Sequence, residues 1–175
     1  MSAADQSKLL ALKRAIQAAL KASGLVADVQ PFSRLLEGDD IRAVGFISPG
    51  AFVSLLAAPG SQAMSGGDSR VKIEVAVAIA SKGKPGLEAD EQTLAVAEAV
   101  FNHVSWKQWG LSGIWPAENR RMEIMPVPGR TGVALLAVRW EHFVRLGATY
   151  PDPLGVDETL RPTDPPTLTL GDDTQ

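Results

Sequence analysis

The sequence predicts an α+β domain, a mainly antiparallel sheet covered by two amphipathic helices, with an extended C-terminal arm. Three observations carry that expectation. In Arg70–Ser81, RVKIEVAVAIAS, the residues Val71, Ile73, Val75, Val77 and Ile79 fall on every second position, so an extended chain sets them on one face. In Asp5–Ser23 and Glu88–Trp106, apolar residues instead recur every three to four positions, the helical period. Arg120–Val127 and Gly132–Leu146 are strand-like runs on either side of Pro128-Gly129-Arg130-Thr131, which reads as a hairpin.

The first helix buries Leu9, Leu12, Ile16 and Leu20 and turns Lys8, Lys13, Arg14, Gln17 and Lys21 to other faces. Ser2 or Asp5 is the expected cap, and Gly24 the stop, because glycine accepts the left-handed conformation that ends helices. Leu25–Phe32 reads as a short strand ended at Pro31, and Ser33–Asp40 as a connector. Ile41–Phe46 and Ala51–Ala57 are strand-like runs around the Ser48-Pro49-Gly50 break. Pro59–Ser69, PGSQAMSGGDS, is expected to be a long hairpin tip; it leads into a strand rather than a helix, which excludes a phosphate-cradling loop.

Arg70–Ser81 is the expected central strand. Its second face, Lys72, Glu74, Ala76, Ala78 and Ala80, starts charged and ends small, so one end should be solvated and the other closely covered. After the Lys82–Gly86 turn, Glu88, Asp90 and Glu91 open the second helix, where carboxylates meet the positive end of its dipole. Its alanines, Ala95, Ala97 and Ala99, are expected to approach the alanine face of the central strand. On the last strand, Leu136, Val138, Trp140, His142, Val144 and Leu146 share one face. Leu135, Ala137, Arg139, Glu141, Phe143 and Arg145 share the other, with Arg139, Glu141 and Arg145 forming a solvated stripe, or an ionic seam if a neighbouring subunit lies there.

Length suits one domain, 1–147, and an arm, 148–175. A chain 45% hydrophobic and 21% charged belongs among globular proteins. The absence of cysteine excludes disulfides and thiolate chemistry and fits an intracellular assembly. No signal peptide is recognisable, and no apolar run approaches the roughly 18–20 residues that span a bilayer. The net charge of −3 is unevenly placed: residues 148–175 hold six acids (Asp152, Asp157, Glu158, Asp164, Asp172, Asp173) against Arg161, while the body holds 16 basic and 14 acidic residues. With Pro151, Pro153, Pro162, Pro165 and Pro166, the arm either stays solvated or lies across a neighbour; if extended, it reaches about 80 Å.

No residues are expected to be catalytic, cofactor-binding or metal-ligating. There is no nucleophile elbow, no metal spacing, and only His103 and His142 as histidines. His103, near a helix end, reads as a satisfied histidine in preference to a ligand or base. The aromatic stretch Trp106–Trp115, broken by Gly110 and Gly113, could stack bases or line a small-molecule pocket, but it lacks a basic setting. Plugging the core or contacting another subunit is the preferred reading. Arg120 and Arg121 make too small a basic footprint for nucleic acid.

The segments LLALKRAIQAALKAS, RVKIEVAVAIASKG, EADEQTLAVAEAVFNHV and GRTGVALLAVRWEHF, in this order, resemble the tail terminator or tail completion proteins of long-tailed bacteriophages, in particular Mu-like phages with flexible tails. The resemblance spans about Leu9 to Leu146 and lies in element order rather than in an invariant motif. It implies a structural virion protein without catalytic residues or cofactor. That protein would form a homohexameric ring on the major tail tube protein, stop its polymerisation and present a surface to the head–tail connector. Another neck or minor tail protein is the alternative it leaves. No membrane and no sequence-specific nucleic acid are expected partners. The Pro59–Ser69 loop and the hairpin around Pro128–Gly132 are the expected ring or tube contacts, with the arm draped over a neighbour.

Overall fold

The chain runs α1 (Lys8–Ser23), β1 (Asp28–Pro31), α2 (Asp40–Ala43), β2 (Gly50–Ala63), β3 (Ser69–Lys82), α3 (Ala89–His103), β4 (Glu118–Met125) and β5 (Val133–Leu146). These elements come from a computed structural model that describes residues 7–63, 69–83, 88–127 and 132–147. The strands form one sheet in the order β1-β2-β3-β5-β4, with β3 in the middle as its alternation predicts. β1 runs parallel to β2, and every other neighbouring pair is antiparallel. The fold class is therefore α+β, as expected.

The period-two pattern of β3 divides the molecule into two layers. Ile73, Val75, Val77 and Ile79 meet Leu12, Ile16 and Leu20 of α1 and Ala97, Val100 and Val104 on the α3 side in one core, completed by Val53, Val138 and Trp140. Each fully buried Leu or Ile there contributes about 1.5–3 kcal/mol relative to exposure. α1 begins at a cap formed by Ser7, whose hydroxyl accepts a hydrogen bond from the Leu10 amide (3.2 Å). Ser2 and Asp5, the expected caps, lie outside the described residues. Gly24 ends the helix at φ 69°, as anticipated. α3 makes about four turns: the helical pattern extends to Trp106, but the helix stops at His103.

Two expectations about the second face need correction. The α3 alanines do not reach the alanine face of β3; Ala97 packs in the Val/Ile core instead. Ala78 and Ala80 are covered by Leu36, Ile41 and Phe52, with Phe32, Val44 and Phe46 around them. The small side chains make room for Phe52, which lies opposite Ala78 on β2 and meets Phe32 and Phe46 edge-on (centroids 6.3 and 5.8 Å). The segment 32–46 is thus a lid over the sheet. Ile41–Phe46 was expected to be strand-like, but it enters through the short helix α2, because Ile41 must point down into this cluster. The lid is tied by Ser54, whose hydroxyl donates to the Arg34 carbonyl, and by Arg34 paired with Asp40 (2.7 Å).

β2 also outruns its expected end at Ala57. It pairs with β3 as far as Ala63, across a register irregularity between Ala57 and Ser61 that accommodates Pro59. The remaining tip, 64–68, lies outside the described residues, as do the 128–131 turn and the arm. Among the described residues, no helix is long and apolar enough to cross a membrane.

The two-layer division makes a stability prediction. Ala78→Leu should over-pack the lid and cost about 1–3 kcal/mol. The same enlargement at exposed Ala18 of α1 should stay within about 0.5 kcal/mol. Urea denaturation of both variants checks this, and equal costs would contradict it.

Candidate interaction surface

The lid covers only one end of the second face. At the other end, three strands present charge. Glu74 of β3 takes Arg121 from β4 and Arg139 from β5 (3.3 Å), and Arg139 also reaches Glu123 (3.1 Å). Lys72 pairs with Glu141 at 2.7 Å, and Asn119 donates a further hydrogen bond to the same carboxylate. Burial pushes the Glu141 carboxyl up, but these hydrogen bonds and the charges of Lys72 and Arg121 outweigh it and leave the group below its ordinary value. In place of the expected solvated stripe, or a seam completed by a neighbouring subunit, Arg139 and Glu141 form ion pairs within one subunit. Arg70 extends these pairs as a stack, its guanidinium 3.8 Å from the Phe143 ring centroid and 5.0 Å from that of Trp115.

The tryptophan-rich stretch divides by role. Ile114 bridges to Val144, and the Trp115 amide donates to the Phe143 carbonyl (2.9 Å), so this part is zipped along the end of β5. Gly113, at φ 74°, holds the left-handed conformation that glycine adopts without steric cost. Trp109 and Trp140 both donate their indole N–H to Nε2 of fully buried His142, at 2.9 and 2.8 Å. His142 Nδ1 lies 2.8 Å from the Trp115 carbonyl. An imidazole whose Nε2 accepts two N–H groups must carry its proton on Nδ1, which donates to that carbonyl. The cluster therefore locks a neutral histidine and plugs the core, as the preferred reading of the stretch had it. Trp106 does not join it.

Trp106 is 80% exposed at φ 57°. A bulky residue in the left-handed region costs about 1–3 kcal/mol, and here no burial offsets it. Trp106 lines a recess with Phe101, Ala117 and Arg120 between α3 and β4. Further along the same seam, Asp90, Glu91, Thr93, Leu94 and Ile124 line an apolar groove of about 230 Å³. Ile124 is 81%, Leu94 54% and Met122 45% exposed. Together these side chains run along the free edge of β4, the last strand of the sheet. Four of the five large hydrophobic residues exposed among the described residues lie there, and that edge is the candidate site.

The other singled-out residues fall around it. Glu88 is the N-cap of α3, with Asp90 and Glu91 in its first turn, so their dipole role is kept. Asp90 and Glu91 additionally rim the groove, which their helical position could not disclose. Arg120 and Arg121 point apart. Arg120 binds the Phe101 carbonyl (3.0 Å) and the Ser105 hydroxyl, while Arg121 faces Glu74. His103, at the end of α3, has its pKa lowered by burial and then by Lys107, and its Nε2 is buried without a hydrogen-bond partner, so the satisfied histidine expected there is not realised. Among the described residues, no group of three or more His, Asp or Glu side chains could hold a metal ion. Met122 and Ile124 were missed because they alternate like core residues; only their place on an edge strand leaves them uncovered.

His142 supplies a pH prediction. Burial lowers its pKa below 6.5, against the opposing pull of the Trp115 carbonyl and Glu118. On acidification the unfolded chain binds the proton first, so stability present above about pH 6.5 is lost below it. The urea midpoint should fall between about pH 8 and 5.5, and a fall should persist in His103→Gln, which removes the other depressed histidine. A flat midpoint in that variant would contradict the lock.

In comparisons with known proteins, no family model and no curated protein matches the chain. The functional reading accordingly starts from the edge surface and from the element order.

Proposed function

We propose that the chain is a structural subunit of a bacteriophage tail. In this reading it assembles as a homohexameric ring on the last ring of tail tube protein, terminates polymerisation and offers its other side to the head–tail connector. The virion tail or neck is then its location. The observation that carries the reading is the uncovered Leu94, Met122, Ile124 and Trp106 strip along the free edge of β4. Such a strip on a sheet edge is suited to contact with protein. The order of elements supports it too: amphipathic helix, central strand, acid-started helix, then the β4–β5 hairpin that the resemblance requires.

For the small-molecule reading of Trp106–Trp115, Trp109 is taken by His142 and Trp115 by Arg70, which leaves Trp106 to line its recess without them. The loop, hairpin and arm contacts expected at Pro59–Ser69, Pro128–Gly132 and 148–175 fall largely outside the described residues.

Deleting the gene in its phage tests the proposal. Electron microscopy should then reveal overlong tubes without heads, restored to normal length by the wild-type chain. Tails of normal length beside unattached heads would assign a connector role instead, and an unchanged virion would overturn the proposal.

A further inference from the structure

The two flanks of the sheet are chemically opposite. α1 holds Lys8, Lys13, Arg14 and Lys21 and no acid; α3 holds Asp90, Glu91 and Glu98 and no lysine or arginine. At about 100° per residue, Lys13, Arg14, Gln17 and Lys21 occupy one flank of α1. The Lys13 ammonium donates to the Phe32 carbonyl (2.6 Å), just past β1, so this flank overlooks the β1 edge. Arg14 and Lys21 are exposed there, and Ile47, 67% exposed, lies beside β1 with its amide directed at the Asp28 carboxylate. On α3, Glu91, Leu94 and Glu98 share the flank that overlooks β4 at the far side of the sheet.

We infer that the α3–β4 flank of one copy receives the α1–β1 flank of a second copy, head to tail, with Glu91 and Glu98 facing Arg14 and Lys21 and the Leu94, Met122, Ile124 and Trp106 strip closing on Ile47. Charge selects this occupant. Two α3–β4 flanks brought together would set Asp90, Glu91 and Glu98 against the same three carboxylates, with Arg120 of each engaged by its own Phe101 carbonyl and Ser105 hydroxyl, and two α1 flanks would oppose ammonium and guanidinium groups in the same way. A contact between different surfaces leaves one of each free on every dimer, so it propagates and closes into a ring when the rotation permits. The intramolecular salt bridges of the open face are left outside it. The inference deepens the ring proposed above and rests on that reading only for the number of copies.

The chain has no cysteine, which makes cross-linking specific. The full-length variants Arg14→Cys, Glu91→Cys and the double variant Arg14→Cys/Glu91→Cys would be treated with a short bismaleimide over rising protein concentration and resolved by denaturing electrophoresis. The double variant should yield a ladder of covalent multimers at concentrations where each single variant stays monomeric. In the double-cysteine background, Lys21→Glu or Glu98→Lys alone should weaken the ladder about tenfold, and combining the two should restore it. Covalent dimers from a single-cysteine variant would establish pairing of like flanks and overturn the inference, as would a double variant that stays monomeric throughout or reversals that leave the ladder unchanged. Overlong tails in the gene deletion together with a monomeric double variant would sink this contact while sparing the tail reading; a ladder with an unchanged virion would do the opposite.

Discussion

The alternation in β3 is the constraint on which the rest depends. Because successive side chains of a strand point to opposite faces, Ile73, Val75, Val77 and Ile79 commit one whole face to burial, and two helices are needed to cover it. The opposite face obeys a second rule along its length. Where it is alanine, the 32–46 lid can come close; where it is Lys72 and Glu74, cross-strand ion pairs replace the lid. A one-residue slip of register would exchange these faces and bury the charges.

That same division decides what is left over for function. Both faces of the sheet are used inside one subunit, by helices, lid or salt bridges, so the uncovered apolar side chains collect at an edge. Ile124 and Met122 illustrate this. They occupy helix-facing positions opposite Leu136 and Val138, yet α3 does not extend over them. Trp106 extends the strip from a strained backbone. A small sheet with one acidic, apolar flank and one basic flank is a unit that can repeat.

Much of this was legible beforehand. The long alternations of Arg70–Ser81 and Gly132–Leu146 identified the central strand and its partner, because period two over so many residues has no helical reading. The helical stripe of α1 identified the residues that face the core, while the stripe Leu94, Ala97, Phe101 and Val104 of α3 counted Leu94 among them although it is exposed; the charged and alanine halves of β3 foretold where the second face is covered. What escaped was set by tertiary context. Ile41–Phe46 has strand-like composition but turns through α2, since the lid must aim Ile41 at Phe52. The two-indole lock on His142 joins residues 33 positions apart, and no spacing rule links Trp109 to it. The edge strip was invisible for a related reason: Met122 and Ile124 read as core until the neighbour that fails to cover them is known.

The most direct measurement is hydrogen–deuterium exchange of the backbone amides, compared between the free chain and the chain assembled on tail tubes. The account predicts that amides of β4 and of α1 slow on assembly, while those beside the Glu74 ion pairs in the middle of β3 keep their rates. Protection confined to the ion-paired face, with both flanks exchanging as in the free chain, would contradict it.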